Sequence, residues 1–142
     1  MFVSRSMTRK VITVGPEKTV FEAQELMAAN GIRHLPVIDA NRRLIGIVTD
    51  RDIRSAVPYH FIKDSCSPEL REQICALTVK DIMTKDPLSI SPTYTIQDAL
   101  LMIQNSRVGA LPVVDDDGKL SGILSVRDLL RAFINVLGIG EP

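Results

Sequence analysis

The chain of 142 residues has no excess of charge of either sign: seventeen Lys and Arg balance seventeen Asp and Glu. Without a basic field nothing draws in a polyanion, which excludes bulk nucleic-acid binding driven by counterion release. A small anion, which needs only one or two local cations, is still allowed. No apolar run reaches the roughly 20 residues of a membrane-spanning helix, and Met1–Lys10 has no apolar stretch of the kind that marks a secretion signal. Cysteine is scarce. Cys66 and Cys75 predict reduced thiols in a cytoplasmic protein rather than a disulfide framework. The only histidines, His34 and His60, have no cysteine at ligand spacing, so no zinc site is expected. There is also no glycine-rich phosphate loop, no nucleophile paired with a base and no working pair of carboxylates. Asp115-Asp116-Asp117, followed by Gly118, reads as a solvated turn and not as a cation site. The expectation is a protein without catalytic activity.

What the sequence does contain is itself, twice. Residues 3–56 and 79–132 match at a constant offset of 76 without a gap. Met7-Thr8 returns as Met83-Thr84, Leu35-Pro36-Val37 as Leu111-Pro112-Val113, and Arg51-Asp52 as Arg127-Asp128. Where letters change, apolar character survives, as in Val14 against Ile90 and Val20 against Ile96. Copies of this size are too long for a solenoid unit and short for independent domains. Two half-domains sharing a core are expected, with functional groups placed twice near their seam.

Each copy reads as strand, helix, strand, strand, helix, a mixed α/β unit, and two such units can bury their sheets together. The opening strands are Val11–Val14 and Leu88–Ile90. Thr19 and Thr95 are set to cap the next helices, whose inward faces would be Val20, Ala23, Met27 and Ala28, and Ile96, Ala99, Leu100 and Ile103. Strands follow at His34–Ile38 and Leu44–Val48, and again at Ala110–Val114 and Leu120–Leu124, each pair joined by a polar turn. Helices Asp50–Ala56 and Val126–Leu137 close the copies, the second stopped by Gly138. The boundaries are therefore 3–56 for the first copy, 57–78 for a linker and 79–137 for the second copy. Within the linker, Pro58, Pro68 and the polar run 63–67 break any long element, and Ser67-Pro68 opens a short helix over Glu69–Leu77. Thr78 to Asp81 resembles a capping box.

Two recurring segments exceed what packing requires. In Gly46-Ile-Val-Thr-Asp-Arg-Asp52 and Gly122-Ile-Leu-Ser-Val-Arg-Asp128, a strand ends in Thr49 or Ser125, and an Asp follows three residues later in a helix's first turn. Helix capping explains the two hydroxyl residues as well as ligand binding does. It explains Asp52 and Asp128 less well, since each has an Arg beside it (Arg51 and Arg127) and suits a ribose diol. In Ile32-Arg33-His34-Leu35-Pro36 and Val108-Gly109-Ala110-Leu111-Pro112, a proline interrupts a strand. It either leaves main-chain groups free for an adenine edge or simply guards a sheet edge.

The ordered set, present twice, resembles the cystathionine β-synthase (CBS) domain, and the chain resembles a stand-alone pair of these domains across nearly everything except 57–77. That resemblance implies two repeats packed through their sheets into one pseudo-twofold module, with two clefts for adenosine compounds: AMP, ADP, ATP, S-adenosylmethionine or a dinucleotide. One cleft would combine Thr8, Thr13 and Ile32, Arg33, His34 and Pro36 with Ser125, Arg127 and Asp128. The other would combine Thr84, Ser89 and Val108, Gly109, Ala110 and Pro112 with Thr49, Arg51 and Asp52. Asp would hold the ribose, the apolar-Pro segment the base, and Thr or Ser the sugar and α-phosphate. Arg33 and His34 stand where the second cleft has Gly109 and Ala110, so the first is expected to hold phosphates more tightly. Arg107 and Arg54 are the available compensating charges for the second. The resemblance further implies a homodimer and a regulatory, energy-sensing role exerted on a partner in trans. The competing expectation is a ligand-independent scaffold that works through protein contact.

Overall fold

The computed structural model describes residues 1–57 and 67–140. Pro58, His60, Cys66 and the polar run 63–66 lie outside the described residues. The chain forms two compact units, Ile12–Pro87 and Met1–Val11 with Leu88–Pro142. They are offset from the repeats. The segment that opens each repeat packs with the sheet of the other copy.

In the unit 12–87, Thr19 caps α2 (Val20–Asn30) through a reciprocal capping box with Glu22. This satisfies main-chain donors that have no partner within the helix. Gly31, at φ 62, ends α2 in the left-handed conformation that costs glycine least. β1 (His34–Ile38) and β2 (Leu44–Thr49) pair antiparallel, with a bulge between Val37 and Ile38. α3 (Asp50–Ala56) follows without a loop. α4 (Pro68–Cys75) starts, as predicted, with Ser67 capping and proline at the first position, but stops two residues short of Leu77. α5 (Val79–Ile82) then leads into β3 (Thr84–Lys85), which adds to the free edge of β2. Val20, Ala23, Met27, Leu35, Val37, Val48, Ile53 and Val79 form the core.

The second unit repeats this plan. α1 (Val3–Ser6) leads to a bridge between Thr8 and Ile123, the counterpart of β3 on β2. α6 (Ile96–Asn105), β4 (Ala110–Val114), β5 (Leu120–Ser125) and α7 (Val126–Leu137) complete it. Its core is Val3, Met7, Ile90, Ala99, Leu111, Val113, Leu124 and Leu129.

Two expectations change. The opening strands shrink to single parallel bridges, Val14 with Val37 and Ile90 with Val113. Val14 N–H donates to the Pro36 carbonyl (3.1 Å), and Ile38 N–H donates to the Val14 carbonyl (3.1 Å). The next rung of a parallel ladder needs an N–H from residue 36, which proline lacks, so pairing ends there. Pro112 truncates the second copy in the same way. On the predicted helix faces, Ala28 and Leu100 point outward, Leu100 with 48% of its surface exposed. Ala28 directly follows the buried Met27 and Leu100 directly follows the buried Ala99, and a step of one residue, about 100° around the helix, turns each off the inward face.

Candidate functional site

The two strand-to-helix corners are built alike. At the first, Thr49 N–H donates to Asp52 Oδ2 at 2.8 Å, and Asp52 N–H donates to Thr49 Oγ1 at 3.2 Å. At the second, Ser125 N–H donates to Asp128 Oδ2 at 2.9 Å, the Ser125 hydroxyl donates to the same oxygen at 3.0 Å, and Asp128 N–H donates to Ser125 Oγ at 3.2 Å. Both aspartates are thus the third-residue members of capping boxes. Capping explains them as fully as it explains Thr49 and Ser125, contrary to the sequence reading, because the carboxylate reaches back to the main-chain N–H that precedes the helix.

The corners differ in what else reaches the carboxylate. Thr8 Oγ1 donates to Asp128 Oδ1 at 3.1 Å, and Arg131 Nη1 lies 3.5 Å from that oxygen. Asp128 is 5% exposed. Asp52 is half-buried, and among the described residues neither Thr84 nor any cation bonds it. Arg54, one turn further on, pairs with Asp50 instead at 3.5 Å. Glycine brings Thr8 and Thr84 to the sheet. A Cβ on Gly122 would meet Thr8 O at 2.8 Å and Met7 Sδ at 2.7 Å, and one on Gly46 would meet Thr84 O at 3.0 Å and Met83 Sδ at 2.5 Å.

The leucine-proline strands hold the second set of expected residues. Leu35, Pro36, Leu111 and Pro112 are fully buried. The carbonyls of Pro36 and Pro112 are not free for an adenine edge: they accept from Val14 N–H and Ile90 N–H at 3.1 and 3.0 Å. Arg33 O and Gly109 O likewise accept from Asp50 N–H and Val126 N–H. Arg33 is exposed and lines a groove of about 420 Å³ together with the buried Met27 and Ile53 and with Ile32, Asp50 and Arg54. Burial holds the His34 imidazole below its ordinary value of 6.5, helped by Arg33 and opposed by Asp50 and Asp52. It is therefore neutral at pH 7, and Arg33 is the cation this segment offers.

Thr13, Ile32, Arg33, His34, Pro36, Thr49, Arg51, Asp52 and Thr84 belong to the unit 12–87. Thr8, Ser89, Val108, Gly109, Ala110, Pro112, Ser125, Arg127 and Asp128 belong to the other. Direct bonds join Thr8, Ser125 and Asp128 in one unit, and Thr49 and Asp52 in the other. Arg51 and Arg127 are exposed. Sequence reasoning missed Arg131. Its place three residues after Asp128, on the same helical face, was the available signal. Among the described residues no group of His, Cys, Asp and Glu could hold a metal ion, and no helix is long and apolar enough to cross a membrane.

These duplicated corners and proline-edged hairpins are those of a known module. The CBS domain model matches residues 3–59 and 79–135, and the chain belongs to the CBS domain family. The CBS-pair protein CBSX2 of Arabidopsis thaliana has the same fold at a TM-score of 0.84, with 31% identity over 98% of each chain. CBSX2 in complex with AMP superposes at a TM-score of 0.82, with 32% identity, covering 96% of this chain and 98% of that one. A CBS domain-containing protein of Dictyostelium discoideum is 33% identical over 137 residues, 96% of this chain and 94% of its own length. Inosine-5'-monophosphate dehydrogenase of Korarchaeum cryptofilum is 40% identical over 121 residues, but the match covers only 22% of that protein.

Proposed function

We propose that the chain is a regulatory module that binds adenosine-containing ligands, AMP, ADP or ATP foremost, and passes their presence to a partner protein in trans. The observation that carries this is the duplicated corner, in which a strand-terminal hydroxyl and a helix-capping carboxylate meet twice at equivalent positions. Carboxylates so placed accept the hydroxyls of a ribose. The AMP complex of CBSX2, a relative alike over nearly its whole length, supports AMP as the first ligand to try. Arg33 supplies the phosphate contact, with Asp52 and Asp128 taking sugars and the leucine-proline segments the bases. S-adenosylmethionine fits the same sugar and base contacts without needing Arg33. No residue set on these elements suggests catalysis. We place the protein in the cytoplasm, where the exposed Cys75 thiol stays reduced.

The test is a titration of the whole chain with AMP, ADP, ATP and S-adenosylmethionine, followed by calorimetry and thermal shift. A ligand that binds only the folded chain must raise its melting temperature. Arg33→Ala should weaken AMP and ATP by about tenfold, the worth of one charged hydrogen bond, and leave adenosine unchanged. Equal losses from Arg33→Ala and from Arg9→Ala would remove Arg33 from the site. Silence from every ligand would favour the second reading, a scaffold working through protein contact. That reading draws on the apolar stripe left exposed along α7.

A further inference from the structure

The two ribose-type carboxylates are not equivalent, and their internal repeat makes each the control for the other. An ionised carboxylate offers about four lone-pair positions. At Asp128, Oδ2 accepts from both the main-chain N–H and the hydroxyl of Ser125, while Oδ1 accepts from Thr8 and faces Arg131. Three hydrogen bonds and an ion pair thus occupy a group that is nearly buried. At Asp52 only the Thr49 N–H is in place among the described residues. The counterpart of Thr8 is Thr84, which does not bond Asp52, and the counterpart of Arg131 is Ser55, which carries no charge.

We propose that Thr8 and Arg131 latch the Asp128 carboxylate shut, so that Asp52 is the open acceptor for a ribose diol and its site fills first. This rests on the adenosine reading above and adds an order of filling to it. A diol reaching Asp128 must displace the Thr8 hydroxyl and the Arg131 guanidinium from Oδ1 before it can donate there. Among the described residues, a diol reaching Asp52 meets no side-chain donor already on its carboxylate oxygens. Arg33, expected to strengthen phosphate binding, acts at the other end of a nucleotide. Adenosine, which has no phosphate, isolates the sugar contact.

Adenosine and 2'-deoxyadenosine are titrated calorimetrically into the wild-type chain and into Asp52→Asn, Asp128→Asn, Arg131→Ser and Ser55→Arg. The last two exchange the exposed latch residue between the copies. The stronger event should vanish in Asp52→Asn, survive Asp128→Asn and weaken for 2'-deoxyadenosine. Arg131→Ser should tighten the weaker event, or reveal one, by about two- to fivefold, the range of an ion pair with one exposed partner, and Ser55→Arg should weaken the stronger. If Asp128→Asn removes the stronger event, or if neither exchange shifts either event, the latch is wrong while adenosine binding stands. If wild type and all four variants are silent, the adenosine reading falls and the latch with it. A silent wild type with a binding Arg131→Ser would keep adenosine binding but overturn the order of filling, since the open Asp52 site should bind in the wild type.

Discussion

At the scale of single residues, the most constrained positions are the two glycines that no turn requires. Gly122 lies in β5 with Thr8 crossing it so closely that a Cβ would sit 2.8 Å from the Thr8 carbonyl oxygen, a main-chain atom that cannot rotate away. Met7 Sδ, the other close atom, can swing aside. Gly122→Ala should therefore force Thr8 off the sheet, losing the Thr8–Ile123 bridge and the hydrogen bond to Asp128. We expect a loss of about 1–3 kcal/mol, the usual cost of overpacking, read as a lower urea midpoint with an unchanged slope. Gly46→Ala should cost less, because its nearest main-chain atom, Thr84 O, is 3.0 Å away and the tighter contact is a flexible methionine end. Equal effects at the two positions would contradict the geometry. The repeat flagged both glycines in the sequence, but not their reason. Close approach by a segment at the far end of the chain leaves no local trace.

At the scale of elements, the duplication again supplies a comparison. The turn joining β4 to β5 places Gly118 at φ 77, and the turn joining β1 to β2 places Arg42, its counterpart, at φ 63. Asp39 and Asp115 organise both turns alike, each accepting main-chain N–H groups two and four residues on. Arg42 thus bears a left-handed conformation that costs an L side chain roughly 1–2 kcal/mol, offset partly by glycine's larger entropy loss on folding. Arg42→Gly should stabilise the chain by about 0.5–1 kcal/mol, measured by denaturant unfolding, and a decrease would show that the arginine side chain contributes something its exposure does not suggest. Turns, caps and hairpins of this kind were legible, because aspartate, threonine and glycine act on neighbours within four residues. The opening strands were not. Val11–Val14 has strand composition, yet its ladder stops at one rung because Pro36, more than twenty positions later, lacks the next donor.

At the scale of the molecule, the constant offset and ordered motifs made the family readable, since both copies repeat every local signal. The composition of the compact units was not readable. Which sheet accepts Met7-Thr8 or Met83-Thr84 is decided by long-range pairing, and the two candidate sheets have nearly the same sequence. The outer face of α7 belongs to this scale as well. Leu129 and Ala132 face inward, while Val126, Leu130, Phe133 and Leu137 are each more than half exposed. Their spacing of four, three and four residues is that of a helix seam meeting another helix. An exposed apolar stripe of this length marks a surface that something covers. A second copy of the same helix would present the matching stripe, and we propose it as the occupant, the homodimer that the family resemblance implies. The wild-type chain should therefore sediment as a dimer, and Leu130→Glu with Phe133→Glu should give a folded monomer, since neither side chain enters the core. Retention of wild-type far-ultraviolet dichroism by the variant would separate dissociation from unfolding. A wild-type monomer at every concentration tested, or a double variant that stays dimeric, would show that this face does not hold two copies together.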